Sequence, residues 1–144
     1  MIEFNFNSQI CTTREQSERL LALGLKKETA DMTIHIKNDD GLYVTAEPFY
    51  EWDDDMNTIP SLEDIEQILP AWSLYRLIEM MPYCIEMNDK YRCLQISKWY
   101  VRYAHNGTEK PYIGYIKKLN TFDAIIECIE WLIKEDRFNK KYLV

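Results

Sequence analysis

The sequence predicts an α+β fold: an antiparallel sheet of hairpins and a meander, packed by an N-terminal helix, a central helical elbow and a C-terminal amphipathic helix. Three observations carry this. Residues 83–119 alternate β-branched and aromatic side chains with polar ones, the texture of half-buried strands. Turn sequences, Asn38-Asp39-Asp40-Gly41 and Asn106-Gly107, stand between such runs. Capped amphipathic stretches lie outside the strand-rich segment rather than alternating with its strands, which separates α+β from a doubly wound fold.

The elements follow in chain order. Thr12 and Thr13 are both placed to cap the first helix, with Glu15 and Gln16 three residues on, so two overlapping capping boxes are available. Leu20, Leu21 and Leu23 give that helix an apolar end, and Gly24-Leu25 is a stop signal with its hydrophobic contact. A short helical turn is expected near residues 28–32. Thr33-Ile34-His35-Ile36 and Leu42-Tyr43-Val44-Thr45 flank the first turn as a hairpin. Beyond Pro48, acids and large aromatics mix without a period, as in a surface loop.

Ser61 followed by Leu62, Ile65, Ile68 and Leu69 at helical spacing predicts a helix over 61–69, broken by Pro70. Ser73 then caps a second helix carrying Leu74, Leu77, Ile78 and Met81, ended by Pro82. These two form the elbow. If Asn88-Asp89 is a two-residue turn, Cys84 falls directly opposite Cys93. Centring the next hairpin on Asn106-Gly107 pairs Val101 with Tyr112 and Trp99 with Gly114. The parity change between Leu94, Ile96 and Trp99, Val101, Tyr103 suggests a bulge near Ser97-Lys98. Thr121 is the expected cap of the last helix, whose Phe122, Ile125, Ile126, Ile129, Leu132 and Ile133 make one apolar stripe.

The whole chain, 1–144, reads as a single domain large enough to keep a core without disulfide or metal staples. A hydrophobic fraction of 47% excludes the composition of disordered chains. No apolar run reaches the ~20 residues of a membrane span, and residues 1–6 lack the pattern of a secretory signal, so a cytoplasmic protein without membrane contact is expected. In a reducing compartment Cys84 and Cys93 are then expected as two small buried thiols rather than a disulfide.

Charge is unevenly spread. Residues 28–69 hold twelve acids against the single base Lys37, whereas residues 83–120 hold seven bases against three acids. The acidic stretch suits recognition of a basic partner or imitation of nucleic-acid charge. Its candidate contact residues are Glu47, Glu51, Asp53, Asp54 and Asp55, with Tyr50 and Trp52 as aromatic anchors. Asp53, Asp55 and Asn57 match the first ligands of a calcium loop, but Thr58 and Pro60 spoil the remainder of that motif. The basic meander interleaves its cations with Tyr91, Trp99, Tyr100, Tyr103, Tyr112 and Tyr115. Its alternative candidate set is Lys98, Tyr100, Arg102, Tyr115 and Lys117, for a nucleotide or single-stranded nucleic acid.

Catalytic signatures are missing: the four glycines build no phosphate loop, and neither H-E-x-x-H nor G-x-S-x-G occurs. His35 and His105 are expected as a surface hairpin residue and a turn-flanking residue. No motif implies a cofactor or a resident metal, and no catalytic residue is assigned.

Ile10-Cys11-Thr12-Thr13-Arg14-Glu15-Gln16-Ser17 with Ala30-Asp31-Met32, and Pro70-Ala71-Trp72-Ser73-Leu74 with Leu77 and Met81-Pro82, form a recognisable pattern. With the closing helix from Phe122-Asp123 to Trp131-Leu132, it resembles small uncharacterised proteins encoded by phages and integrated mobile elements of gut bacteria. The resemblance implies no activity. It implies a setting, an accessory gene of a phage or mobile element; with the charge asymmetry and the missing catalytic motifs, the expectation is a non-enzymatic protein that binds a host protein, in a host-modulating or anti-defence role.

Overall fold

The computed structural model describes residues 8–37, 42–48, 65–105 and 113–144. Helix α1 (Arg14–Ala22) is followed by a 3-10 turn (Lys27–Thr29), strands β1 (Met32–Lys37), β2 (Leu42–Pro48) and β3 (Ile65–Ala71), and helix α2 (Leu74–Met80). The meander comprises β4 (Cys84–Met87), β5 (Lys90–Ile96), β6 (Tyr100–Ala104) and β7 (Ile113–Lys117). Helix α3 (Thr121–Lys134) and a 3-10 turn (Lys140–Tyr142) complete the chain. Two antiparallel sheets result, ordered β2-β1-β3 and β4-β5-β6-β7, so the fold is α+β.

Of the two possible caps on α1, Thr13 takes the role and forms the capping box with Gln16. Thr12 is buried and ties the helix to the chain after β3: its Oγ1 accepts the Trp72 N–H at 3.0 Å and shares a hydrogen bond with Ser17 Oγ at 2.8 Å. Gly24, at φ +99°, supplies the left-handed residue that ends the helix, and Leu25 beyond it is fully buried. The expected turn after Glu28 is the 3-10 turn, beginning one residue earlier.

The expected helix over 61–69 is not found from Ile65 onward. Residues 65–71 are a strand against β1, with Leu69 opposite Ile34 and Ile68 opposite His35. Residues 61–64 lie outside the described residues. An i, i+3, i+4 spacing in so short a stretch is outweighed by β1, which gains a second partner and buries Ile34 between β2 and β3. Pro70 is compatible because β3 is an edge strand. The central elbow therefore reduces to α2, capped as expected by Ser73, whose Oγ accepts the Arg76 N–H at 3.2 Å. His35, expected on the surface, is 7% exposed in the middle strand.

The Asn88-Asp89 turn has both residues at positive φ, 53° and 61°, as a two-residue hairpin of the favoured twist requires. It sets Cys84 opposite Cys93 as the sequence predicts. At Ser97-Lys98 the chain reverses instead of bulging. Ser97 Oγ accepts the N–H groups of Trp99 and Tyr100, and Ile96 faces Val101. The parity change was the mark of this turn.

Val101 pairs with Ile116, not Tyr112, so the β6–β7 register is not the one expected from a turn centred on Asn106-Gly107. Residues 106–112 lie outside the described residues. The expected aromatic cover of Gly114 exists, but Trp131 from α3 supplies it rather than Trp99. Helix α3 is capped by Asn120, one residue before the expected Thr121, through Asn120 Oδ1 and the Asp123 N–H.

The apolar stripe of α3 lies on the inner face of the meander. Ile125, Ile126, Ile129 and Leu132 are buried with Ile85, Val101 and Tyr103 of the sheet and Leu20, Leu25 and Leu77 of the flanking elements. A smaller core of Cys11, Ile34, Leu69 and Ala71 sits under the three-stranded sheet. Trp72, fully buried, stands at the junction, its indole N–H donating to Thr29 Oγ1 at 2.9 Å.

Candidate functional site

Strand alternation decides which meander residues reach a ligand. Ile85, Leu94, Val101, Tyr103 and Ile116 pack toward α3. Their neighbours therefore point to the opposite face: Cys84 and Glu86 on β4, Tyr91, Cys93 and Gln95 on β5, Tyr100 and Arg102 on β6, Tyr115 and Lys117 on β7. Four of the five residues of the basic candidate set, Tyr100, Arg102, Tyr115 and Lys117, thus share one face.

They form a row. The Tyr115 and Tyr100 rings lie 5.8 Å apart between centroids. The Arg102 guanidinium also sits 4.6 Å from the Tyr100 ring centre, held by its Nε–H, which donates to Gln95 Oε1 at 2.8 Å. Arg102 is only 9% exposed, so it extends the stacked surface and adds charge to it rather than reaching out as a free arm.

The exposed cations flank Tyr100. Lys117 is its partner across the strands, and Lys98 lies in the turn just before it, with Nζ 5.2 Å from the Trp99 ring centre. Trp99 and Tyr115 are 51% and 44% exposed. Exposed aromatic rings with cations beside them can stack planar groups and neutralise adjacent phosphates. Among the remaining aromatics, Tyr91 is exposed, whereas Tyr103 belongs to the core and donates its hydroxyl hydrogen to Pro82 O at 2.7 Å. Tyr112 lies outside the described residues.

The acidic candidate set is not assembled in the described structure. Glu47 lies on β2 opposite Thr33, and Tyr50, Glu51, Trp52, Asp53, Asp54 and Asp55 lie outside the described residues, as does the calcium-like stretch. Among the described residues no group of three or more His, Cys, Asp or Glu is placed to hold a metal ion. His105 contacts the Tyr91 carbonyl oxygen through Nδ1 at 3.0 Å. An open groove of about 430 Å³ beside α2, lined by Glu28, Thr29, Arg76, Glu79, Met80 and Tyr142, mixes charges of both signs without a convergent set.

Two features of this region escaped the sequence. Cys84 and Cys93 are joined by a disulfide, not two buried thiols, and neither is fully buried. The reason is the hairpin register: facing residues on one side of the sheet, with Cα atoms 4.1 Å apart, bring the sulfurs within bonding reach. The pairing was legible; the bond was set aside only on an assumed compartment.

The stretches that carry the mobile-element resemblance converge elsewhere, at the α1–β3–α2 junction. Besides the Thr12, Ser17 and Trp72 contacts, Asp31 accepts the Ser73 N–H and hydroxyl, and Gln16 donates to Asp123 Oδ1 at 2.7 Å. Their visible role is to hold the fold. No helix among the described residues is long and apolar enough to cross a membrane. No protein family, curated protein or solved structure matches the chain.

Proposed function

We propose that this is a binding protein, an accessory product of a phage or mobile element, whose meander face away from α3 stacks the bases of single-stranded nucleic acid on its exposed aromatics. The observation that carries the reading is the Tyr115–Tyr100–Arg102 row with Lys98 and Lys117 at its margin.

Anisotropy titration of labelled oligothymidylate and oligouridylate at low salt tests it. Tyr115→Ala should weaken binding about 5- to 150-fold, the range of ~1–3 kcal/mol per stacked base. Failure of both oligonucleotides to bind, or unchanged affinity in Tyr115→Ala, would refute the reading. Binding of mononucleotides alone would replace the strand by a nucleotide as ligand.

A second reading rests on charge. Twelve acids against one base over residues 28–69 support recognition of a basic host protein through Glu47 to Asp55, with Tyr50 and Trp52 as anchors. Here Asp53, Asp54 and Asp55 changed together to Lys should abolish capture of the partner. Unchanged affinity and salt dependence would remove this reading.

A further inference from the structure

We infer that the Cys84–Cys93 pair is a thiol-exchange site, opened and closed reversibly by low-molecular-weight thiols while the protein stays folded. The inference is independent of the stacking proposal and stands on where the bond lies.

Its sulfurs are on the face of the meander away from α3, on the edge-strand side, and neither cysteine is fully buried. Around them Tyr83, Glu86 and Tyr91 are exposed, so a small thiol approaches without displacing core. The other two cysteines differ in every respect. Cys11 and Cys128 are free and buried, and burial pushes both thiols up, that of Cys128 to about 12. Exchange chemistry is therefore confined to one pair.

The hairpin that carries the bond does not need it to keep its register. The Asn88-Asp89 turn specifies the pairing, and Ile85 on β4 is anchored in the core beside Met87. Opening the bond leaves these contacts in place.

The reaction balances as two exchanges. A thiolate RS⁻ attacks Cys84 Sγ, on the edge strand, forming a Cys84–S–S–R bond as the Cys84–Cys93 bond breaks and Cys93 leaves as a thiolate that takes up a proton. A second RS⁻ attacks the R sulfur of that mixed disulfide, forming RSSR and releasing Cys84 as a thiolate, which is likewise protonated. Overall, two RSH are oxidised to RSSR and the protein disulfide is reduced to two thiols. Oxidised thiol drives the reverse.

The test uses the full chain under native conditions, with glutathione as the thiol and alkylation mapped by mass spectrometry. Reduced glutathione should make Cys84 and Cys93, and neither Cys11 nor Cys128, available to alkylation, with an unchanged circular dichroism spectrum. Oxidised glutathione should close the pair again. In Cys93→Ser, oxidised glutathione should leave a stable adduct on Cys84. Labelling of Cys84 and Cys93 only together with Cys11 and Cys128, or only in denaturant, would overturn the inference. So would a reduced pair that oxidised glutathione fails to close.

Discussion

Gly114 shows how one residue can be fixed by a partner distant in sequence. Its φ is +59°, and a Cβ built on it would lie 2.9 Å from the Trp131 ring. Gly114→Ala therefore meets both a strained backbone and a clash with a packed indole, and should destabilise by about 2–4 kcal/mol. Chemical denaturation of the variant checks this, and a loss below ~0.5 kcal/mol would mean that Trp131 moves aside easily. Thr12 is the polar counterpart. Thr12→Val keeps the shape but leaves the buried Trp72 N–H without its acceptor, an expected loss of about 1–3 kcal/mol in the same assay.

Titration also belongs to single residues. Arg19, 2.6 Å from Glu130, and then Lys134 at 3.1 Å hold the Glu130 carboxyl below the ordinary carboxylate range. Its contribution is thus present above the unfolded value of 4.5 and lost as pH falls through the lower folded value. At the surface this amounts to no more than the ~0.2–1 kcal/mol of exposed ion pairs. Cys128 has the opposite sign. Raised from 9.0 to about 12 by burial, it favours the folded state fully below pH 9 and loses that contribution as pH rises toward 12. Thermal melts across pH should fall in that alkaline window, less steeply in Cys128→Ala.

At the scale of elements, success and failure of sequence reading have one cause. Helix α3 was legible because fourteen residues carry one continuous apolar stripe that only a helix aligns. Leu132→Ala, which empties a fully buried position on it, should cost about 2–5 kcal/mol by denaturant unfolding. The helix expected over 61–69 fails from Ile65 onward because its apolar positions fit a short helix as well as a strand, and local spacing does not record that β1 lacks a second neighbour. The Ser97 turn was mistaken for a bulge for a related reason: both invert parity, and only the pairing of Ile96 with Val101 distinguishes them. The basic candidate set was legible in the same sense, since Tyr100, Arg102, Tyr115 and Lys117 share one face. The wider list of aromatics interleaved with the cations also held Tyr103, which the sheet directs into the core.

Across the whole molecule, charge separates from shape. A chain of net charge −7 carries its basic, aromatic meander apart in sequence from its acidic stretch, so binding of a nucleic-acid strand to the proposed face must overcome overall repulsion. With Lys98 and Lys117 neutralising phosphates, log affinity against log salt should have a slope of about −1.4 for single strands. Lys117→Ala should reduce that slope by about 0.7, measured by anisotropy over a salt series. A slope near zero would show that phosphates are not contacted.

The sequence by itself determined the α+β class, the capped helices at both ends, the Asn88-Asp89 register and the charge asymmetry, because each is written in short-range spacing and local backbone preference. Tertiary structure alone decided that residues 65–71 are a strand, that Thr12 and Asp31 hold Trp72 and Ser73, that Trp131 covers Gly114, and which tyrosines share the face away from α3. Those outcomes depend on which surfaces must be buried against each other, and burial is settled between segments far apart in the chain.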